Sequence, residues 1–176
     1  MAVIEAIETI YLEADVSSVT FSSIPATYEH LQLRISAKNT RTSNHFENCS
    51  IRLNGDTGSS YTMHRMAGYS SSTTAAGSTA TMIWQPTTVS SQSTQDGSQY
   101  SPLNIDILDY ANTNKNTTLH YINAFAIGSA SGDPYVQFGS ALWTSTDAVD
   151  EIEIAPYGSY DFVRGSGFTL YGLNSS

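Results

Sequence analysis

Four histidines, one cysteine and sixteen carboxylates are the residues of this 176-residue chain with the means to catalyse or to ligate. A metal needs two or more such groups at short spacing, so that one turn or strand brings them to the same ion. His30, His45, His64 and His120 stand too far apart for that. Nucleophilic hydrolysis at a strand-to-helix elbow needs Gly-x-Ser-x-Gly; the nearest run, "GSASG", places Ala130 where the serine belongs. Neither a phosphate-cradling glycine loop nor a dinucleotide-binding glycine pattern occurs. Glycoside hydrolysis asks only for two acids at the right separation, and Asp106 with Asp109, or Asp150, Glu151 and Glu153, are the candidates. Asp106, Glu151 and Glu153 fall on the outward parity of their strands, which suits solvated acids better than a desolvated proton donor. In "NGDTG", Asn54 and Asp56 could meet a calcium ion, but the further spaced ligands of an EF-hand loop are missing. The expectation is a protein without catalytic residues, cofactor or metal.

The elements that would position any site are strands. Apolar residues alternate with polar ones wherever they gather, the pattern of a strand with one buried face. Leu31, Leu33, Ile35 and Ala37 point one way from "HLQLRISAK"; Val19 and Phe21, Ile105 and Ile107, Ile152 and Ile154, and Phe168 and Leu170 do the same in their runs. Cys49 shares the parity of Ile51 and Leu53, which makes it a small inward filler. "IETIYL" and "SVTF", with the turn-like "EAD" leading from one to the other, read as two successive strands, with at most a helical turn at "ATYEH". Pro25 cannot donate to a ladder, so "SSIPATYEH" is a corner that carries the chain from one sheet to another, plugged by Ile24 and Tyr28. About ten strands with turns at "NGDTGSS", "YANTNKN", "SGDP" and "PYGSYDF" predict a single all-β domain over 1 to 176, an antiparallel β-sandwich of jelly-roll-like character.

Two polar stretches, 68 to 81 and 87 to 99, lack that alternation and read as long Ser/Thr-rich loops flanking "MIWQP". Tyr69, Trp84 and Gln85 are their candidate partner contacts. The runs "LHYINAFAIG" and "YVQFGSALW" are apolar on both faces, as a strand at a subunit interface would be. From them Tyr121, Phe125, Ile127, Tyr135 and Trp143 are the candidate interface residues.

Charge narrows the partners. With seven basic against sixteen acidic residues the net charge is −9, opposed to the counterion release that drives nucleic-acid binding. The five arginines, Arg34, Arg41, Arg52, Arg65 and Arg164, are read as scattered surface groups. No apolar stretch is long enough for a membrane helix, the start carries acids where a secretory signal has a basic region, and a lone cysteine fits assembly in a reducing cytoplasm.

Three segments together, "SVTFSSIPATYEHLQLRISAK", "IRLNGDTGSSYTMHRMAG" and "ALWTSTDAVDEIEIAPYGSYDFVRGSGFTLYGL", resemble a family of small structural proteins of tailed bacteriophages, cyanophages and marine phages among them. The resemblance spans most of the chain, from residue 18 to residue 173, and is sharpest in "SVTFSSIPATYEHLQLR" and "GSGFTLYGL"; it does not extend to the loops between 68 and 99. It implies a virion protein, a decoration or cement protein that docks on the outer capsid surface as a homotrimer and binds the major capsid protein. A tail-fibre or tail-associated β-sandwich module that recognises glycans is the alternative, with Tyr61, Tyr69, Trp84 and Trp143 as sugar-stacking rings.

Overall fold

The computed structural model describes residues 3–43, 46–69, 72–91, 99–125 and 135–175; the side chains of 69, 84–91 and 125 are not part of that description. Twelve strands and no helix occur among the described residues. They are β1 (Val3–Tyr11), β2 (Val19–Phe21), β3 (His30–Asn39), β4 (Phe46–Leu53), β5 (Tyr61–Tyr69) and β6 (Ser72–Ala80), then β7 (Ile83–Ser91), β8 (Ser101–Leu108), β9 (Thr117–Phe125), β10 (Tyr135–Trp143), β11 (Ile152–Pro156) and β12 (Gly167–Asn174).

Eight strands form one antiparallel sheet in the order β6-β5-β10-β9-β8-β3-β12-β1. Four form a second, β2-β11-β4-β7, and the end of β3 joins it through a short parallel pairing of Lys38 and Asn39 with Ser90 and Ser91. The main apolar core among the described residues lies between them, holding Leu31, Leu33, Leu103, Ile105, Leu119 and Phe168 of the large sheet against Val19, Phe21, Ile51, Leu53, Ile152 and Ile154 of the small one, with a smaller cluster of Ala67, Tyr135 and Phe46. Of the opposed residues in the main core, all but Leu103 and Leu119 are inward positions that alternation predicts, and Cys49 is buried among them. The eight-and-four division is what the structure adds to the expected sandwich.

The proline corner does change sheets. The chain leaves β2 in the small sheet, turns through Ser22–Glu29 and enters β3 in the large one. Ile24 is buried there, and the Tyr28 ring lies across Gly172, where a Cβ would come within 2.3 Å of it. Tyr110, wholly buried, ties the corner down by donating its hydroxyl proton to the Pro25 carbonyl and accepting from the Tyr28 amide at 3.4 Å.

The described residues of the polar stretch 68 to 81 are almost all strand, not loop. Residues 68 and 69 close β5 and 72–80 form β6, which pairs with β5 through all nine of its residues, and 87–91 are the second half of β7. The alternation signal fails in β6 because both its faces meet solvent, so burial selects no period; the β-branched threonines still suit an extended chain. Residues 92–98 lie outside the described part of the chain.

Candidate docking surface

Strands β9 and β10 are apolar on both faces, and the structure decides which face is inside. Tyr121, Tyr135 and Trp143 are buried within the chain itself, at 3, 7 and 2% exposure, so they are not available to a second subunit. Tyr135 stacks on Phe46 of β4, with ring centroids 5.6 Å apart; Trp143 stacks on Tyr61 at 6.5 Å. Burial pushes the Tyr61 and Tyr121 hydroxyls up to about 12, as expected of phenols kept from water. Tyr61 and Trp143 are likewise unavailable as sugar platforms. Tyr69, Trp84, Gln85 and Phe125 lie on described strands without described side chains, and Ile127 falls outside the described residues.

The opposite parity carries the exposed apolar groups. Phe138 of β10 is 54% exposed, and it stands directly between Met66 of β5 (48%) and Ile122 of β9 (52%). Ala75 of β6 extends the row beyond Met66, and Val136 (49%) lies one step along β10 between Gly68 and Ala124. Shallow grooves flank Phe138: one is lined by His64, Met66 and Ser140, the other by Met66, Gly68, Thr73 and Val136. Four large apolar side chains in neighbouring register form a contiguous patch, which is the kind of exposed surface that marks a contact site. Covering the second half of each would contribute on the order of 1 kcal/mol apiece.

The same face turns polar across β8, β3 and β12. Gln32 donates to Asp106 at 2.7 Å, His120 lies 3.5 Å from the other Asp106 oxygen, and Arg34 donates to Gln32 at 2.7 Å while its guanidinium sits 5.0 Å over the Tyr171 ring. These groups hold one another in place and rim the apolar row with fixed hydrogen-bonding partners.

The acids considered for catalysis are distributed among structural tasks. Asp109 pairs with Lys115, Asp106 belongs to the rim, and Glu153 lies 3.5 Å from Arg52. Asn54 and Asp56 build a turn: both Asn54 and Gly55 have positive φ, the Asp56 amide donates to Leu53 at 3.0 Å, and the Asn54 side-chain oxygen accepts from the Asp150 and Glu151 amides. The Asp56 carboxylate accepts from the Trp143 indole at 2.7 Å and from the Gly58 amide at 2.7 Å. Among the described residues, no three His, Cys, Asp or Glu side chains gather closely enough to hold a metal, and no helix is long and apolar enough to cross a membrane.

The Trp143 hydrogen bond, with that of Gly58 behind it, holds the Asp56 carboxyl below the ordinary aspartate value. A folded-state pKa below the unfolded one gives stability that is present above about pH 4 and is lost as pH falls through the folded value. The denaturation midpoint is therefore expected to drop in acid below about pH 4, and Asp56→Asn to show a smaller acid loss than the parent chain. An identical acid limb in that variant would remove Asp56 from the account.

No protein-family model, curated protein or solved structure matches the chain.

Proposed function

We propose that this chain is a structural subunit of a tailed-phage virion, an oligomeric decoration protein that stabilises the outer capsid surface by binding the major capsid protein. The exposed row Met66–Phe138–Ile122, with Val136 beside it, carries the docking part of the reading. An apolar patch with a polar rim on a rigid antiparallel sheet suits a protein partner better than a small molecule, which is held in a concave pocket. The virion assignment rests on the sequence resemblance. A decoration subunit gains from many modest contacts, because each one after the first is made at high effective concentration on a repeating shell. The acidic surface keeps crowded copies soluble.

The test places glutamate in the row. Ile122→Glu/Phe138→Glu is expected to melt within about 2 °C of the parent, since both side chains are half outside already, and to bind undecorated capsids at least ~30-fold more weakly, which is about 2 kcal/mol. Undiminished capsid binding would overturn the assignment of the row. Immunogold labelling of intact virions tests the location: label over the head supports the reading, and label confined to the tail transfers the protein to the glycan-binding alternative.

A further inference from the structure

The ends of the sheets are not protected alike. An open sheet edge presents unpaired amides and carbonyls that will accept another strand, and proteins usually blunt it with charge, proline, a bulge or brevity. At one end of the large sheet, β1 carries Glu5 and Glu8 and a bulge between Ala6 and Glu8. In the small sheet β2 is three residues long and β7 contains Pro86. The far end of the large sheet has none of these devices. There β6, "STTAAGSTA", is nine residues long, regular in register with β5, without charge or proline, and among the described residues paired on one side only.

We propose that β6 is a self-association edge, at which a second copy of this chain adds its own β6 antiparallel to the first about a two-fold axis at Ala76. Three observations favour a second copy as the occupant. A chain of net charge −9 repels its own kind over most of its surface, and this edge lets two copies meet without bringing like charges together. The register centred on Ala76 is the one that pairs all nine residues, and it sets Thr73 opposite Thr79 and Thr74 opposite Ser78, hydroxyl pairs that favour cross-strand hydrogen bonding. The Ser78 hydroxyl oxygen is shielded from water and has no hydrogen-bond partner among the described residues, and this register brings Thr74 of the second copy to it.

The pairing reaches beyond the docking reading and is independent of what the apolar row binds. Opposed residues in an antiparallel pair point to the same face, so both copies would present Phe138 on one surface, about five strand spacings or roughly 24 Å apart. Such a contact is isologous and closes at two copies, unlike the trimer that the resemblance implies.

Sedimentation and site-specific cross-linking test it. The parent chain is expected to sediment as two copies or an even multiple. Ala76→Cys should oxidise to a linked dimer at least tenfold faster than Thr73→Cys, because only position 76 faces itself, with Cα atoms about 5 Å apart. Thr73→Glu/Thr79→Glu, which opposes four acids, should dissociate the pair, while Thr73→Glu/Thr79→Lys should keep it. A single-copy or strictly trimeric parent, equal oxidation at the two cysteine positions, or equal weakening by both double variants would each overturn the proposal. Ile122→Glu/Phe138→Glu leaves the paired mass unchanged, so failure at the edge and failure at the apolar row read out separately.

Discussion

Replacing Gly139 with alanine is expected to lower the melting temperature by roughly 6 to 12 °C, the equivalent of about 3 kcal/mol in a domain of this size. Gly139 lies in β10 with Tyr121 of β9 opposite it on one side and Arg65 of β5 on the other. The Tyr121 ring folds over it: a Cβ there would lie 2.2 Å from the Tyr121 hydroxyl oxygen, 2.5 Å from the ring carbon that bears it, and 2.4 Å from the His64 carbonyl oxygen. A side chain tip can swing away, but the His64 carbonyl belongs to the neighbouring strand. Relief therefore requires β5 and β10 to separate. Tyr121→Phe added to Gly139→Ala should recover little, because it removes only the hydroxyl contact. Calorimetric melting of the two variants checks this, and a Gly139→Ala midpoint within 2 °C of the parent would contradict the observed packing of β9, β10 and β5.

Trp143→Ala is the second large loss, expected at about 3–5 kcal/mol, or a fall of roughly 6 to 20 °C. The indole is almost wholly buried, is stacked on Tyr61 and donates to Asp56, so truncation leaves a cavity and takes the indole donor from the Asp56 carboxylate, the Gly58 amide remaining. Its neighbour Tyr61 links the two sheets: the Leu53 amide donates to the Tyr61 hydroxyl at 3.0 Å, and that hydroxyl reaches the Leu53 carbonyl at 3.3 Å. Trp143→Phe retains most of the stacked area and should lose markedly less. Equal losses in the two variants would show that the hydrogen bond, and not the buried area, dominates.

These two sites show where reading the sequence succeeds and where it stops. The periodicity of "HLQLRISAK" or "EIEI" places each side chain because only one face of those strands meets the core, and Pro25 announces a corner because it cannot serve a ladder. In "YVQFGSALW" both parities are apolar, so alternation has two solutions. The aromatic parity with Tyr135 and Trp143 suits an interface as well as it suits a core, and the sequence alone points to the interface. The structure puts those rings inside because Tyr61, Phe46 and the turn at Asp56, all distant in sequence, meet them there. Val136 and Phe138 are left outside.

The β6 edge follows the same logic in reverse. Nothing in "STTAAGSTA" distinguishes an uncovered strand from a loop, since the residues that would reveal a buried face are absent. Its extension is enforced by nine pairings with β5, and its exposure by its place at the end of the sheet order.

What the sequence determined by itself is therefore the class of element, the corner between the sheets and the inward residues of every strand with a single apolar face. Those follow from local rules: steric limits on proline, a side-chain period of two, and the free energy of hiding apolar area. Only the tertiary structure decided which face of β9 and β10 is core, which strand ends the large sheet, and which glycine lies beneath a tyrosine. Each of these depends on a neighbour brought in by long-range pairing, and a strand carries no local record of what will lie across from it.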